Sequence, residues 1–219
     1  MKAQKISLIA AAVIFAGLLG DCLFFHSGQP VKPSLKLDQA VGQVAAEETL
    51  KLLPQGQIVV ITEDTSALRN HATDAQVESF KETLDKQKQI TIAAIEKVLK
   101  EPLSPAQKPG SMGLAICLSK DQLFDIVQAH PGIAGLVSFI GFPSLEPEEA
   151  AWLKSKPLKY VIVFNSSFGI DFDGLDAQQI VNSAIVARNY PLEDSGKRRL
   201  TAREQFDQCY GVIKPGSTN

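Results

Sequence analysis

The sequence predicts an α/β protein: a three-layer α/β/α sandwich around a mostly parallel, doubly wound sheet of about five strands. Three observations predict it. Runs such as "QIVVIT" (57–62) and "LKYVIVFN" (158–165) are continuously apolar and β-branched, as strands covered on both faces require. Amphipathic segments with helical spacing stand between those runs, the alternation that builds parallel sheets with helices on both sides. Prolines and glycines punctuate the joins.

Taken in order, "LDQAVGQVAAEETLKLL" (37–53) sets Val41, Val44, Ala45, Leu50 and Leu53 at near-helical spacing, and Pro54 and Gly56 stop that helix. The strand "QIVVIT" follows, then a polar loop. The next helix is expected from Asp74, with Val77, Phe80 and Leu84 on one side of "DAQVESFKETLDKQ". "QITIAAI" (89–95) reads as a strand, "EKVLK" (96–100) as a helical turn, and "EPLSPAQKPGS" (101–111) as a loop; "GLAICLS" (113–119) is a short strand or an extended approach. Ser119 and Gln122 form a capping box for a helix over 120–130, ended by Pro131 and Gly132. "AGLVSFIG" (134–141) is a strand, and "PEEAAWLKSK" a helix with Pro147 and two glutamates in its first turn. After "LKYVIVFN" come a helix over 175–182 and a last strand, "SAIVARN" (183–189). Thr201 and Glu204 suit the start of a C-terminal helix over 202–210.

The N-terminus sets the expected location. Lys2 and Lys5 precede an apolar stretch from Ile6 to Phe25, broken only by Asp21. About 20 such residues span a bilayer core, and lysines ahead of them predict a cytoplasmic start, residues 1–5. The expectation is an uncleaved single-pass anchor, with signal cleavage or lipid attachment at Cys22 as alternatives. All three put the domain outside the cytoplasm, periplasmic or extracellular. Residues 26–36 then form a tether, 37–190 the α/β domain, and 191–219 a C-terminal loop and short helix. Cys117 and Cys209 are a candidate disulfide in such a compartment, with a buried thiol at Cys117 as the alternative.

The chain has 219 residues and a formal charge of −2, with 45% hydrophobic and 21% charged residues. That near-neutral balance gives no reason to expect nucleic acid as a partner. The motifs HExxH, GxSxG, GxxxxGK[ST] and GxGxxG are all absent, so no nucleotide or other cofactor is expected, nor catalysis. His26, His71 and His130 lack metal-ligand spacing. Asp171, Asp173 and Asp176 in "DFDGLD" match turn and cap chemistry better than a calcium loop. Glu63 and Asp64 form a distant candidate acid–base pair, because neighbours leaving a strand point apart.

The ordered series "VGQVAAEETLKLLPQGQIVVIT", "QVESFKETLDKQ", "DQLFDIVQAHPGIAGLVSFIG", "LKYVIVFN" and "VNSAIVARN" resembles the C-terminal lobe of type I periplasmic binding proteins, the sugar-binding family related to LacI repressors. The resemblance covers 41–189 and implies one lobe only. It places Gln76 where the family has an arginine, and Asn165 where it has an aspartate. It also implies a ligand edge at the strands' C-terminal ends, with Thr62, Glu63, Gln76, Gly141, Asn165 and Ser166 as candidate ligand-binding residues and Pro143 and Ser167 beside them. Phe142 and Phe168 are candidates for stacking on an apolar ring, or for the core. Uncharged amides hydrogen-bond without charge assistance. The resulting expectation is a membrane-anchored, non-catalytic binding or sensing module for a sugar-like ligand. The alternative is a structural or protein-interaction domain, contacting an envelope protein or a second copy of itself.

Overall fold

A computed structural model describes residues 35–66, 70–98, 118–165, 179–188 and 200–214. The elements among them are α1 (Lys36–Leu52), β1 (Gly56–Glu63), α2 (His71–Gln87), β2 (Ile90–Val98), α3 (Lys120–Ala129), β3 (Gly135–Ser138), α4 (Pro147–Lys154), β4 (Lys159–Phe164), β5 (Ser183–Ala187), α5 (Ala202–Cys209) and β6 (Tyr210–Ile213). The strands form one sheet in the order β2-β1-β3-β4-β5-β6. Every pairing is parallel except β5 with β6.

Alternation along each strand divides the core in two. Val59, Ile61, Leu136, Ile162 and Val186 pack with Leu123 and Ile126 of α3 and Leu153 of α4. Their neighbours Ile58, Val60, Val137, Val163 and Ile185 pack on the other face with Val41 and Ala45 of α1, Phe80 and Leu84 of α2, and Phe206 of α5. Two opposite apolar faces on each central strand explain why these segments read as unbroken hydrophobic runs. The three-layer sandwich is therefore present.

Four local expectations change. Helix α2 begins at His71 rather than Asp74, because the Asn70 side chain accepts from the backbone N–H groups of Ala72 and Thr73 and caps it. The first three residues of "EKVLK" are strand, not a helical turn: Glu96, Lys97 and Val98 continue β2 beside Ile61, Thr62 and Glu63 of β1, and residues 99–100 lie outside the described set. Tyr210 leaves α5 and opens a sixth strand, whose Tyr210–Ile213 runs antiparallel to Ala184–Ala187. The helix expected over 175–182 has its first four residues outside the described set. The rest, 179–182, are not helical: a turn at Gln179, with φ of 49°, leads through irregular backbone to a bend at Asn182.

The capping boxes at Ser119–Gln122 and Thr201–Glu204 are formed as expected. Residues 6–25 and Cys117 lie outside the described residues; Cys209 is a free thiol. Among the described residues no helix is long and apolar enough to cross a membrane.

Candidate ligand edge

From β1 the chain moves outward to β2, then returns across β1 to β3. The connections thus leave the C-terminal ends of β1 and β3 in opposite directions, the switch point where open α/β sheets bind ligands. Thr62 and Glu63 end β1 there, Gly141 follows β3, and Asn165 follows β4. Ser166, Ser167, Phe168 and the Asp171 cluster lie outside the described residues.

The geometry joins Gln76 to Asn165. Gln76 Nε2 donates to Asn165 Oδ1 at 3.0 Å and to Asp38 Oδ1 at 3.1 Å. Asn165 Nδ2 donates to the Phe139 carbonyl at 3.2 Å and more weakly to Gln76 Oε1 at 3.4 Å. Gln76 is 2% exposed, whereas Asn165 is exposed. The amide chain therefore runs from the interior to the surface, fixed at one end by a carboxylate and at the other by the end of β3.

Packing explains why Gln76 reaches that point. A Cβ on Gly42 of α1 would lie 2.0 Å from the Gln76 backbone oxygen, so only glycine allows the two helices to approach there. Asp38 stands four residues before Gly42, one turn up the same helix face. The closest approach of α1 and α2 therefore delivers the Gln76 side chain to Asp38. Sequence reading missed Asp38; the available signal was Gly42, a glycine inside a helical pattern, which marks a close backbone contact.

Gly141 holds a turn. Its φ of +82° lies in the left-handed region that favours glycine. The buried Ser138 hydroxyl donates to the Gly141 carbonyl at 2.7 Å and accepts from the Ile140 N–H. Phe142 is buried with its ring edge-on to Tyr160, so it belongs to the core and does not present a stacking face.

Thr62 and Glu63 sit apart from the amide chain. They line an open groove of about 510 Å³ with Asp74, Val77, Ile95 and Lys97, between α2 and β2. Both are buried, at 6% and 3% exposure, and Glu63 Oε2 accepts from Asn70 Nδ2 at 3.0 Å. Asp64 instead folds back to accept from the Ser66 N–H, which holds its carboxyl below the usual range. The neighbouring carboxylates thus serve separate turns, and Asp64 lacks the raised pKa a general acid needs. Another hollow, about 320 Å³ with Lys154, Lys156 and Asn182 in its lining, opens at the opposite end of the sheet, away from every predicted residue.

At the near end, burial, and after it the charges of Asp38 and Cys209, push the Tyr210 phenol up to about 12. Among the described residues no group of three or more potential ligands is placed to hold a metal ion.

No protein-family model matches the chain, and no curated protein matches it. Solved structures do. A solute-binding protein of an ABC transporter from Burkholderia graminis C4D1M, in complex with D-arabinose, matches at 14% identity and a TM-score of 0.53, over 81% of this chain and 59% of that one. The XylFII–LytSN complex matches at 12% identity and 0.51, over 83% and 61%. The fructose-binding periplasmic domain of a hybrid two-component system matches at 11% and 0.51, over 82% and 57%. The chain spans about three fifths of the length of these proteins. Identities this low establish architecture alone: the chain has a type I periplasmic binding protein-like fold, and its partial coverage fits a single lobe.

Proposed function

We propose that the chain is a non-catalytic binding or sensing module for a small polyhydroxylated ligand, anchored through residues 6–25 with its α/β domain outside the cytoplasm. The observation that carries this reading is the meeting of Gln76 and Asn165 at 3.0 Å, from α2 and the end of β4, beside the β1–β3 switch point. The Asn165 amide oxygen can accept a further hydrogen bond, which suits a hydroxyl group. The solved structures similar in fold include a complex with D-arabinose and a fructose-binding domain of a two-component system.

A second reading is favoured by a specific feature. Both hydrogens of the Gln76 amide are already used inside the protein, by Asp38 and Asn165. An edge satisfied in this way also suits a protein-contact surface, engaging an envelope protein or a second copy of the chain.

Thermal unfolding of the full chain in detergent, against a panel of monosaccharides, tests the first reading. A ligand at 100 times its Kd adds about 2.7 kcal/mol, which for a domain of this size is roughly 5–10 °C in Tm. Asn165→Ala is expected to abolish the shift. A shift that survives in Asn165→Ala removes the ligand from this edge. Absence of any shift, with specific retention of one envelope protein by the intact chain, transfers the function to the second reading.

A further inference from the structure

We infer that Asp38 makes the ligand edge an acceptor surface, so that the group it takes is a hydrogen-bond donor, a hydroxyl or an ammonium, and not a carboxylate or phosphate. The inference rests on the binding reading above and names its ligand chemistry.

The argument starts from what each atom can do. A carboxylate accepts and does not donate. Asp38 Oδ1 therefore requires the Gln76 NH₂ on its side, and the 3.1 Å contact meets that requirement. The same NH₂ spends its second hydrogen on Asn165 Oδ1 at 3.0 Å. Asn165 is oriented in turn, with its NH₂ directed at the Phe139 carbonyl, 3.2 Å away, and at Gln76 Oε1. Asp38 at one end and the Phe139 carbonyl at the other, both acceptors only, thus fix the direction of a chain that neither amide alone determines.

The capacity left over is one-sided. Gln76 has no hydrogen to spare, and both hydrogens of the Asn165 amide point at protein oxygens. The second lone pair of Asn165 Oδ1 remains, and so does Asp38 Oδ2, which makes no hydrogen bond among the described residues. Asn165 is exposed and Asp38 partly exposed, so both are within reach of a ligand. Among Asp38, Gln76 and Asn165, every remaining capacity is an acceptor's, and one belongs to a carboxylate. A hydroxyl satisfies it, an ammonium does so with charge assistance, and an anion meets repulsion.

Binding of D-glucosamine, D-glucose and D-glucuronate to the full chain in detergent at pH 6 tests the inference. These probes keep the pyranose ring while changing one substituent to a cation or an anion. Glucosamine is expected to bind at least as tightly as glucose, and glucuronate about tenfold or more weakly. Asp38→Asn can present either NH₂ or oxygen to Gln76, so it is expected to narrow the glucosamine-to-glucuronate ratio several-fold with cooperative unfolding retained. Glucuronate binding as tightly as glucose overturns the inference and leaves the binding reading standing. No binding by any of the three, nor by the wider monosaccharide panel, overturns both. If Asp38→Asn fails to fold, the order of the three ligands on the wild-type chain still decides.

Discussion

Replacing Gly42 by alanine tests the contact on which the candidate edge is built. In an ordinary exposed helix interior, glycine to alanine stabilises by about 1 kcal/mol. Here the added Cβ would lie 2.0 Å from the Gln76 carbonyl oxygen and 2.8 Å from its carbon. Backbone cannot rotate away as a side-chain end can, so α1 and α2 must separate, by roughly 1.5 Å to restore ordinary contact. A displacement of that size carries Gln76 Nε2, now 3.1 Å and 3.0 Å from its acceptors, past hydrogen-bonding range. Overpacking costs about 1–3 kcal/mol and an unsatisfied buried amide about 1–3 more, against the helical gain of about 1. The net expectation is a loss of about 3 kcal/mol, or roughly 6–12 °C in Tm for a domain of this size. Thermal and urea unfolding of Gly42→Ala beside the wild type measure it. An unchanged or raised Tm refutes the close approach, and with it the account of how Gln76 comes to meet Asp38.

Two further expectations concern other parts of the molecule. Burial alone would raise the Glu48 pKa, but Lys51, the Ser183 hydroxyl and Lys214 together hold it below its ordinary value. A depressed carboxylate contributes stability that is present above its unfolded value, near 4.5, and is lost as pH falls through the folded one. Urea midpoints of Glu48→Gln between pH 3 and 7 should therefore be lower than wild type at neutral pH and converge toward it in acid; parallel curves would refute this. For the anchor, the full chain should stay with membranes through alkaline carbonate extraction, and deletion of residues 6–25 should release it. Release of the intact chain by carbonate would remove the anchor.

Much of the architecture was legible because it rests on local pattern. "QIVVIT" carries two buried faces in one apolar run, and Ser119–Gln122 and Thr201–Glu204 announce their helices within four residues. Elements were misread where local pattern serves two structures. Glu96 and Lys97 suit a helical turn, yet at a sheet edge one side of a strand is open and can carry charge; Glu96 there meets His130 of the neighbouring α3 connection at 2.7 Å. Strand β6 has four residues and follows α5 without a loop, so nothing in its own sequence separates it from the helix. The site was legible by position only. Gln76, Asn165, Thr62 and Glu63 lie at the expected end of the sheet, but their division into an amide chain and a separate groove depends on α2 passing between them. Asp38 is 38 residues from Gln76, and Gln76 is 89 from Asn165. Contacts at such separations leave no periodic trace.

The two functional readings differ in what they require of those bonds. A ligand that displaces the Gln76–Asn165 contact must replace bonds worth about 1 kcal/mol each, and it must strip water from an amide pair whose inner member is 2% exposed. A ligand that leaves the contact intact, and adds to the free lone pairs of Asn165 and Asp38, meets no such cost. The internal bonds then act as preorganisation: they hold the acceptors in place before binding, so little ordering entropy remains to be lost. Self-satisfaction of the amides therefore favours the protein-contact reading on one condition. It does so only if the ligand is required to donate to and accept from Gln76 directly. A binding response that persists in Gln76→Glu, where an acceptor-only side chain faces Asp38 and Asn165 Oδ1, would show that the orientation imposed by Gln76 is dispensable, and would refute this account of preorganisation.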